Sequence, residues 1–373
     1  MRLPPPDTLT ARAARLVPLF ADAPIDALVV TSLPNVAYLT GFFASAAALV
    51  ATSDTFHLVS DGRYAAALDA RGHEWPTLRT TQLAPGQSYD EAIADILEPL
   101  RGLRVGVEAR HLTLSRFRFL TQAMAARGWT TDLSPTDGLV ERLRTRKDEW
   151  EVSILRDGGE RLSTVAKCIL SKALAGRLEY EVALEIEEQL RRAGFERPAF
   201  DTIVAAGPNA ALPHARAGTR RIESGELVVV DFGGVLDGYC TDLTRTVTAG
   251  PPGHREERLI AQVVEAQAAA FRVVSSGRSP EAVDAAARDV LTACGIGEAF
   301  THGTGHGLGL EIHEAPRITR ARPSQPEPPL AAGMALTLEP GAYFPDWGGA
   351  RIEDDVLVRE DGADWLTDVP RVW

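Results

Sequence analysis

The chain has 373 residues, beyond the roughly 250–300 at which a single hydrophobic core stops growing, so two domains are expected. A formal net charge of −12, from 39 Lys+Arg against 51 Asp+Glu, excludes a general nucleic-acid or anionic-membrane binder, each of which needs a basic face. Three scattered cysteines, Cys168, Cys240 and Cys294, exclude a disulfide framework or a CxxC zinc knuckle, and the ordinary globular composition fits an acidic enzyme.

The start, "MRLPPPDTLTARAARLVPLF", lacks the apolar h-region of a signal peptide, and no stretch reaches the roughly 18 apolar residues of a membrane span, so a cytoplasmic location is expected. Thr8–Phe20 reads as an amphipathic helix, "ALVV" as a strand, and the runs from "AAALVA" through "FHLVS" as further apolar structure. Helices and short strands in alternation predict an α/β layered domain. The charged, helical segment "GLVERLRTRKDEWEVSILRDGGERL" bridges to the remainder near residue 145. "STVAKCILSKAL" and "EYEVALEIEEQLRRAGF" follow as helices, the second capped by Gly194. From Phe200 onward the chain is strand-rich with one more helix pair, "ERLIAQVVEAQAAAFRVV" and "SPEAVDAAARDVLTACG". The second part is therefore an α+β domain.

Two stretches of that domain resemble each other. "GELVVVDFGG" and "GMALTLEPGA" each place a glycine six residues before an acid and another two after it: Gly225, Asp231, Gly233 against Gly333, Glu339, Gly341. Each then reaches a second acid, Asp242 and Glu353, which hints at two related halves meeting at one site, with chance similarity of two glycine-rich strands as the competing reading.

In "VVVDFGGVLDGYCTDLTRTV", Asp237-Gly238 is the dipeptide of a two-residue type I′ hairpin turn. That turn places Asp231 opposite Thr244, with Asp242 one diagonal step away on the same face. Neighbouring like charges are unfavourable, and Asp231 ends an apolar run, where an unpaired carboxylate is costly. Side chains facing solvent are the competing reading for this pair alone. With Glu339 and Glu353 added, the four acids suit a hard divalent cation, and a nearby histidine favours Mn²⁺, Co²⁺, Fe²⁺ or Zn²⁺ in a two-metal hydrolytic centre.

"HGTGHGLGLEIHEAPR", His302–Arg317, supplies that histidine. It fails G-x-G-x-x-G at Leu310, and it fails HExxH because Pro316 would break the helix. Strand-like alternation is expected over "LGLEIH", and the glycines allow a backbone or a ligand to come close.

"VVVDFGG…TDLTRT", "GTGHGLGLEIHE", "LTLEPG" and "GARIEDD" together resemble the metal motifs of the creatinase/aminopeptidase family of metallopeptidases. "PNVAYLTGF" and "SDGRYAAAL" resemble the amino-terminal domain of its Xaa-Pro dipeptidase (prolidase) and Xaa-Pro aminopeptidase branch. The resemblance implies an α+β, pita-bread catalytic domain over 143–373, preceded by a smaller creatinase-like α/β domain over 1–142. Asp231 would bind one ion, His306 and Glu339 the other, with Asp242 and Glu353 bridging.

His214 and His313 match substrate-contacting histidines near the scissile bond, and Glu339 is the candidate for moving the proton. His302 would line the site, and Arg351, two residues before Glu353, would steady that carboxylate. Arg317 resembles an arginine that binds the terminal carboxylate of a dipeptide. Two ions, manganese foremost, would lower the pKa of a shared water and make it a nucleophile. The expectation is an Xaa-Pro dipeptidase acting on small peptides with proline second. Xaa-Pro aminopeptidase is the alternative, a metal-free binding module on the same fold a further one, and a homodimer is implied.

Overall fold

The computed structural model describes the chain except residues 73, 74, 76, 130–132, 322, 323, 325 and 373, and the side chains of 69–72. It divides into two compact units, Arg2–Arg144 and Thr145–Trp373, with Met1 grouped with the second. Among the described residues, no helix is long and apolar enough to cross a membrane.

The first unit runs α1 (Pro6–Leu16), β1 (Ala27–Val30), α2 (Leu33–Thr40), β2 (Ala48–Thr52), β3 (Phe56–Ser60), α3 (Ala65–Gly72), β4 (Leu78–Gln82), α4 (Tyr89–Leu97), β5 (Val105–Glu108), α5 (Leu114–Ala126), β6 (Leu133–Thr136) and α6 (Leu139–Arg144). The α-helix expected to reach Phe20 stops at Leu16, and Val17–Ala21 winds as a 3-10 turn. Pro18 explains this, because it has no N–H to continue the i→i−4 ladder. The sheet order is β4-β3-β2-β1-β5-β6. β1–β5, β5–β6 and β3–β4 are parallel, and the chain between strands supplies the helices that such pairs require. Val29, Val50, Val59, Val105, Leu120 and Met124 share its core.

The second unit runs α7 (Glu149–Leu170), α8 (Glu179–Arg192), β7 (Arg197–Pro198), β8 (Ile203–Ala206), β9 (Leu227–Phe232), β10 (Gly234–Leu236), β11 (Tyr239–Cys240), β12 (Leu243–Thr248), α9 (His254–Val273), α10 (Pro280–Ala293), β13 (Gly305–Gly307), β14 (Glu314–Ile318), β15 (Ala335–Leu338), β16 (Gly341–Phe344), β17 (Gly348–Arg351), β18 (Glu353–Arg359) and β19 (Gly362–Trp365). "STVAKCILSKAL" is not a helix of its own but the continuation of α7, which starts at a capping box of Asp148 and Glu151 and meets no proline before its end.

The main sheet has the order β14-β13-β15-β18-β12-β9-β8, with β19 added on β18. This arrangement is close to symmetric about the β12–β18 seam: β9 and β8 lie outside β12 as β15 and β13 lie outside β18. The helices follow the same division. Val228, Val230 and Phe232 of β9 pack in one cluster with Leu162, Ile169 and Ile186 of α7 and α8. Val356 and Val358 of β18 pack in another with Val263, Ala270 and Leu291 of α9 and α10. Since side chains alternate along a strand, Asp231 projects from the face of β9 opposite to Val230 and Phe232, and all of β9 is buried because both faces are covered.

Candidate metal centre

Asp237 and Gly238 both take positive φ, 48° and 84°, as a type I′ turn requires. The turn sets the register Leu236↔Tyr239 and, further along, Thr244↔Asp231. Thr244 is also paired with Glu353 across the seam, so Asp231, Thr244 and Glu353 form one row over three strands. Asp242, two residues before Thr244, shares their face. The Thr244 hydroxyl donates to Glu353 Oε2 at 2.6 Å.

Glu339 follows β15, and its backbone N–H donates to Thr304 O at 2.7 Å, which ties it to the strand carrying His306. His306 Nε2 lies 3.6 Å from Glu339 Oε1 and 3.9 Å from Asp242 Oδ2. Its Nδ1 is 3.0 Å from Gly307 O. A carbonyl only accepts, which assigns the proton to Nδ1 and turns the Nε2 lone pair toward the acids. Asp231, Asp242, His306, Glu339 and Glu353 all line one cavity of about 480 Å³.

The charges in this cavity are unbalanced. Burial, then Glu353 and Asp231, pushes the Asp242 carboxyl well above the usual range; burial, then Glu339 and Asp231, does the same to Glu353. Burial raises Glu339 as well, and it lowers His306, which keeps that ring neutral. Asp231 Oδ1 and Asp242 Oδ1 are buried and, among the described residues, accept no hydrogen bond. Asp242, His306 and Glu353 offer ligand atoms that all lie within 4.8 Å of one another. Unpartnered carboxylate oxygens beside a neutral imidazole fit divalent cations, and a cation would offset the repulsion.

The Arg351 charge favours the ionised Glu353 carboxyl, but its direct hydrogen bonds go elsewhere. Its guanidinium grips Asp231 Oδ2 at 2.5 Å rather than Glu353, and it also donates to Tyr343 Oη at 2.8 Å, Thr244 Oγ1 at 3.3 Å and Pro213 O at 3.2 Å. Arg351 ends β17 in a separate two-stranded sheet and Glu353 begins β18, yet both side chains line the same cavity. Asp355 and Tyr343, neither singled out from sequence, are also buried here. Asp355 accepts from the Asp242 N–H at 2.9 Å. Tyr343 hydrogen-bonds His302 Nε2 at 2.9 Å, and its hydroxyl is pushed up to about 12 by burial. Period-2 alternation in "GAYF" was the signal for Tyr343, hidden by the glycines around it.

His214, His302 and His313 all line the cavity. The His313 ring packs edge-on against His306 with centroids 4.4 Å apart, whereas His214 is exposed on a turn. Arg317 is exposed on β14 directly opposite His306 but is not among the cavity-lining residues. "LGLEIH", expected to be a strand, is a bend between β13 and β14. Its Gly309 O accepts from Cys240 N at 2.7 Å and its Gly309 N donates to Glu311 O at 3.0 Å, so tertiary and local hydrogen bonds overrode the alternation. Pro316 lies within β14, which removes the metalloprotease helix. The motif's glycines serve neighbouring strands: a Cβ on Gly305 would stand 2.0 Å from Thr337 O, and one on Gly307 2.2 Å from Ala315 O.

A two-halved α+β sheet carrying an acid and histidine cluster on the face that lines the cavity defines a metal-dependent hydrolase of the pita-bread class. Metallopeptidase family M24 matches residues 153–360, and the creatinase/prolidase N-terminal domain matches residues 12–146. The chain belongs to metallopeptidase family M24. It is 30% identical to an Xaa-Pro dipeptidase of Pyrococcus horikoshii over 98% of this chain and 99% of that one. A solved structure of an Xaa-Pro dipeptidase from Bacillus anthracis superposes with a TM-score of 0.90 at 33% identity, covering 98% of this chain and all of the other. An X-Pro aminopeptidase from Thermotoga maritima superposes at 0.86 with 30% identity, covering 97% and 99%.

Proposed function

We propose that the chain hydrolyses the Xaa-Pro bond of dipeptides, using a dinuclear centre held by Asp231, Asp242, His306, Glu339 and Glu353. The observation that carries this reading is the convergence of those five side chains, with His214, His302 and His313, on one cavity. When bound, two divalent ions supply Lewis-acid polarisation and lower the pKa of a water they share. The chain's own residues do the rest. His214 and His313 donate hydrogen bonds to the substrate carbonyl oxygen as its negative charge grows. Glu339, whose side chain keeps 20% exposure where Asp242 has 6%, moves the proton to the leaving nitrogen. Phe200, Ile203 and Ile312 on the cavity wall suit the proline ring. Residues 143–373 carry this activity, with manganese as the native ion and a homodimer as the assembly; these finer points rest on the family resemblance.

Arg317 is the candidate for binding the dipeptide carboxylate, since a residue directly across from His306 shares its face. Its place outside the cavity wall, together with the likeness to the Thermotoga maritima protein, favours Xaa-Pro aminopeptidase as the second reading. Ala-Pro and an Xaa-Pro-Yaa tripeptide should be assayed after loading with Mn²⁺, Co²⁺, Zn²⁺ or Fe²⁺. Cleavage of Ala-Pro is expected, with KM rising about tenfold in Arg317→Ala, as loss of a charge-assisted bond implies. Tripeptide cleavage with Ala-Pro inert would overturn the dipeptidase reading, and inactivity on both would overturn the peptidase reading.

A further inference from the structure

The loop that brings His214 to the cavity begins at the end of β8 and returns at Gly218. Inside it lie a 3-10 turn over Gly207–Ala211 and two local bonds, Leu212 N to Asn209 O at 3.0 Å and Ala215 N to Leu212 O at 3.1 Å. The tip is held by Arg351, which donates to Pro213 O. The base is held by Glu179, the first residue of α8, which is fully buried.

Glu179 spans both legs of the loop. Its Oε1 accepts from Ala206 N at 2.9 Å and from Asn209 Nδ2 at 3.0 Å on the outgoing leg. Its Oε2 accepts from Asn209 Nδ2 at 3.1 Å and from Gly218 N at 3.2 Å on the return leg. The first turn of α8 adds Glu179 N to Arg220 O at 3.0 Å and Tyr180 N to Gly218 O at 3.1 Å. A carboxylate that closes a loop from both sides sets the loop's span and with it the height of the tip.

The second half of the domain uses an acid in a comparable way. Asp284, on α10 and 1% exposed, accepts from Thr304 N at 3.1 Å and Thr304 Oγ1 at 2.9 Å. It also pairs with Arg288, which donates to His302 O at 2.9 Å. In each half, a buried acid on the second helix fixes backbone beside a cavity histidine.

We propose that Glu179 is a positioning residue for His214, holding the loop so that the imidazole meets the carbonyl oxygen. The proposal rests on the reading of His214 given above. Hydrogen-bond donors to a reacting group act only within a few tenths of an ångström of the right place, so a loosened loop loses rate rather than metal.

The test compares the full-length wild type, Glu179→Ala, Glu179→Gln, His214→Ala and the corresponding double variants, all loaded with Mn²⁺. Readouts are kcat and KM on Ala-Pro, and Mn²⁺ stoichiometry by titration calorimetry. Glu179→Ala should lower kcat about 100-fold, with KM within about threefold and the Mn²⁺ stoichiometry of the wild type. Glu179→Gln should recover only about tenfold of that loss: its oxygen still accepts from Ala206 N and the Asn209 amide can turn to meet the new NH₂, but that NH₂ cannot accept from Gly218 N, so the return leg loses its side-chain bond. Each double variant should be no slower than His214→Ala, since the two residues act as one unit. Multiplied losses in the double variants, a kcat within about twofold of wild type in Glu179→Ala, or lost Mn²⁺ binding would overturn the proposal. A fully active His214→Ala would sink the role of His214 itself, which is a separate result. If Glu179→Ala does not fold, Glu179→Gln and its double variant carry the same comparison.

Discussion

Asp242 and Glu353 face each other and Asp231 from adjacent strands, buried to 4% and 2% exposure, so without a cation they are driven to keep protons they would shed in water. Thr244 and Arg351 manage part of this field. The hydroxyl bonds Glu353, and the guanidinium holds Asp231 while touching Thr244 through Nε. Arg351 and Asp355 add one charge of each sign to the four acids, so two divalent ions would still bring the cluster near neutrality. Glu353 stands directly across the β12–β18 seam from Thr244. Glu353→Ala should reduce Mn²⁺ stoichiometry from two to at most one and lower kcat by on the order of 10³. Calorimetric titration and the Ala-Pro assay check this, and an active variant binding two ions would refute the bridging role.

At the scale of elements, the centre depends on close strand contact at β13 and on a buried ion pair behind the seam. Gly305→Ala would drive a Cβ into Thr337 O, so β13 must part from β15 and His306 must move with it. The expected cost is about 1–3 kcal/mol or more of stability, read by chemical denaturation, together with weaker Mn²⁺ binding. Wild-type stability in that variant would show that β13 has slack. Arg245 follows Thr244 and points to the other face. It is fully buried, pairs with Asp354 at 2.7 Å, and donates to Glu353 O, Val369 O and Pro370 O. Thr367 and Arg371 bond the same Asp354, so this cluster fastens the segment 367–371 to the back of β18. Arg245→Ala removes one of the two guanidinium groups at Asp354 and the donor to three carbonyls, and should cost about 1–3 kcal/mol in the same measurement.

For the whole molecule, the raised carboxyls link metal, protons and stability. A carboxyl whose folded pKa is raised stabilises the ion-free fold below its unfolded value near 4. That contribution is lost as pH climbs through the raised value. Burial raises Asp242, Glu353, Glu339 and Asp355 alike. Bound cations displace those protons, so metal should bind more tightly as pH rises. The thermal shift on adding Mn²⁺ should accordingly grow from pH 5 to pH 8, toward the roughly 2.7 kcal/mol given by ligand at a hundred times Kd. Melting curves with Mn²⁺ and with EDTA across that range measure it. A shift independent of pH would mean that the acids do not hold protons in the ion-free fold.

Much of this centre was legible because it is written in local chemistry. Asp237-Gly238 sets one hairpin register, an acid at the end of each apolar run marks a buried charge, and Gly225 and Gly333 turn into matching strands at φ 90° and 89°. Those rules reach only as far as one turn or one strand pair, so they do not foresee the bend at "LGLEIH" or the bond from Arg351 to Asp231. The acids, the histidines and the two-halved plan follow from residue types, apolar runs and turns alone. Which of them share a face depends on pairings distant in the chain: β12 against β18 joins Thr244 to Glu353, and α8 folded against the end of β8 joins Glu179 to the His214 loop. No periodicity records contacts between residues so far apart in the chain.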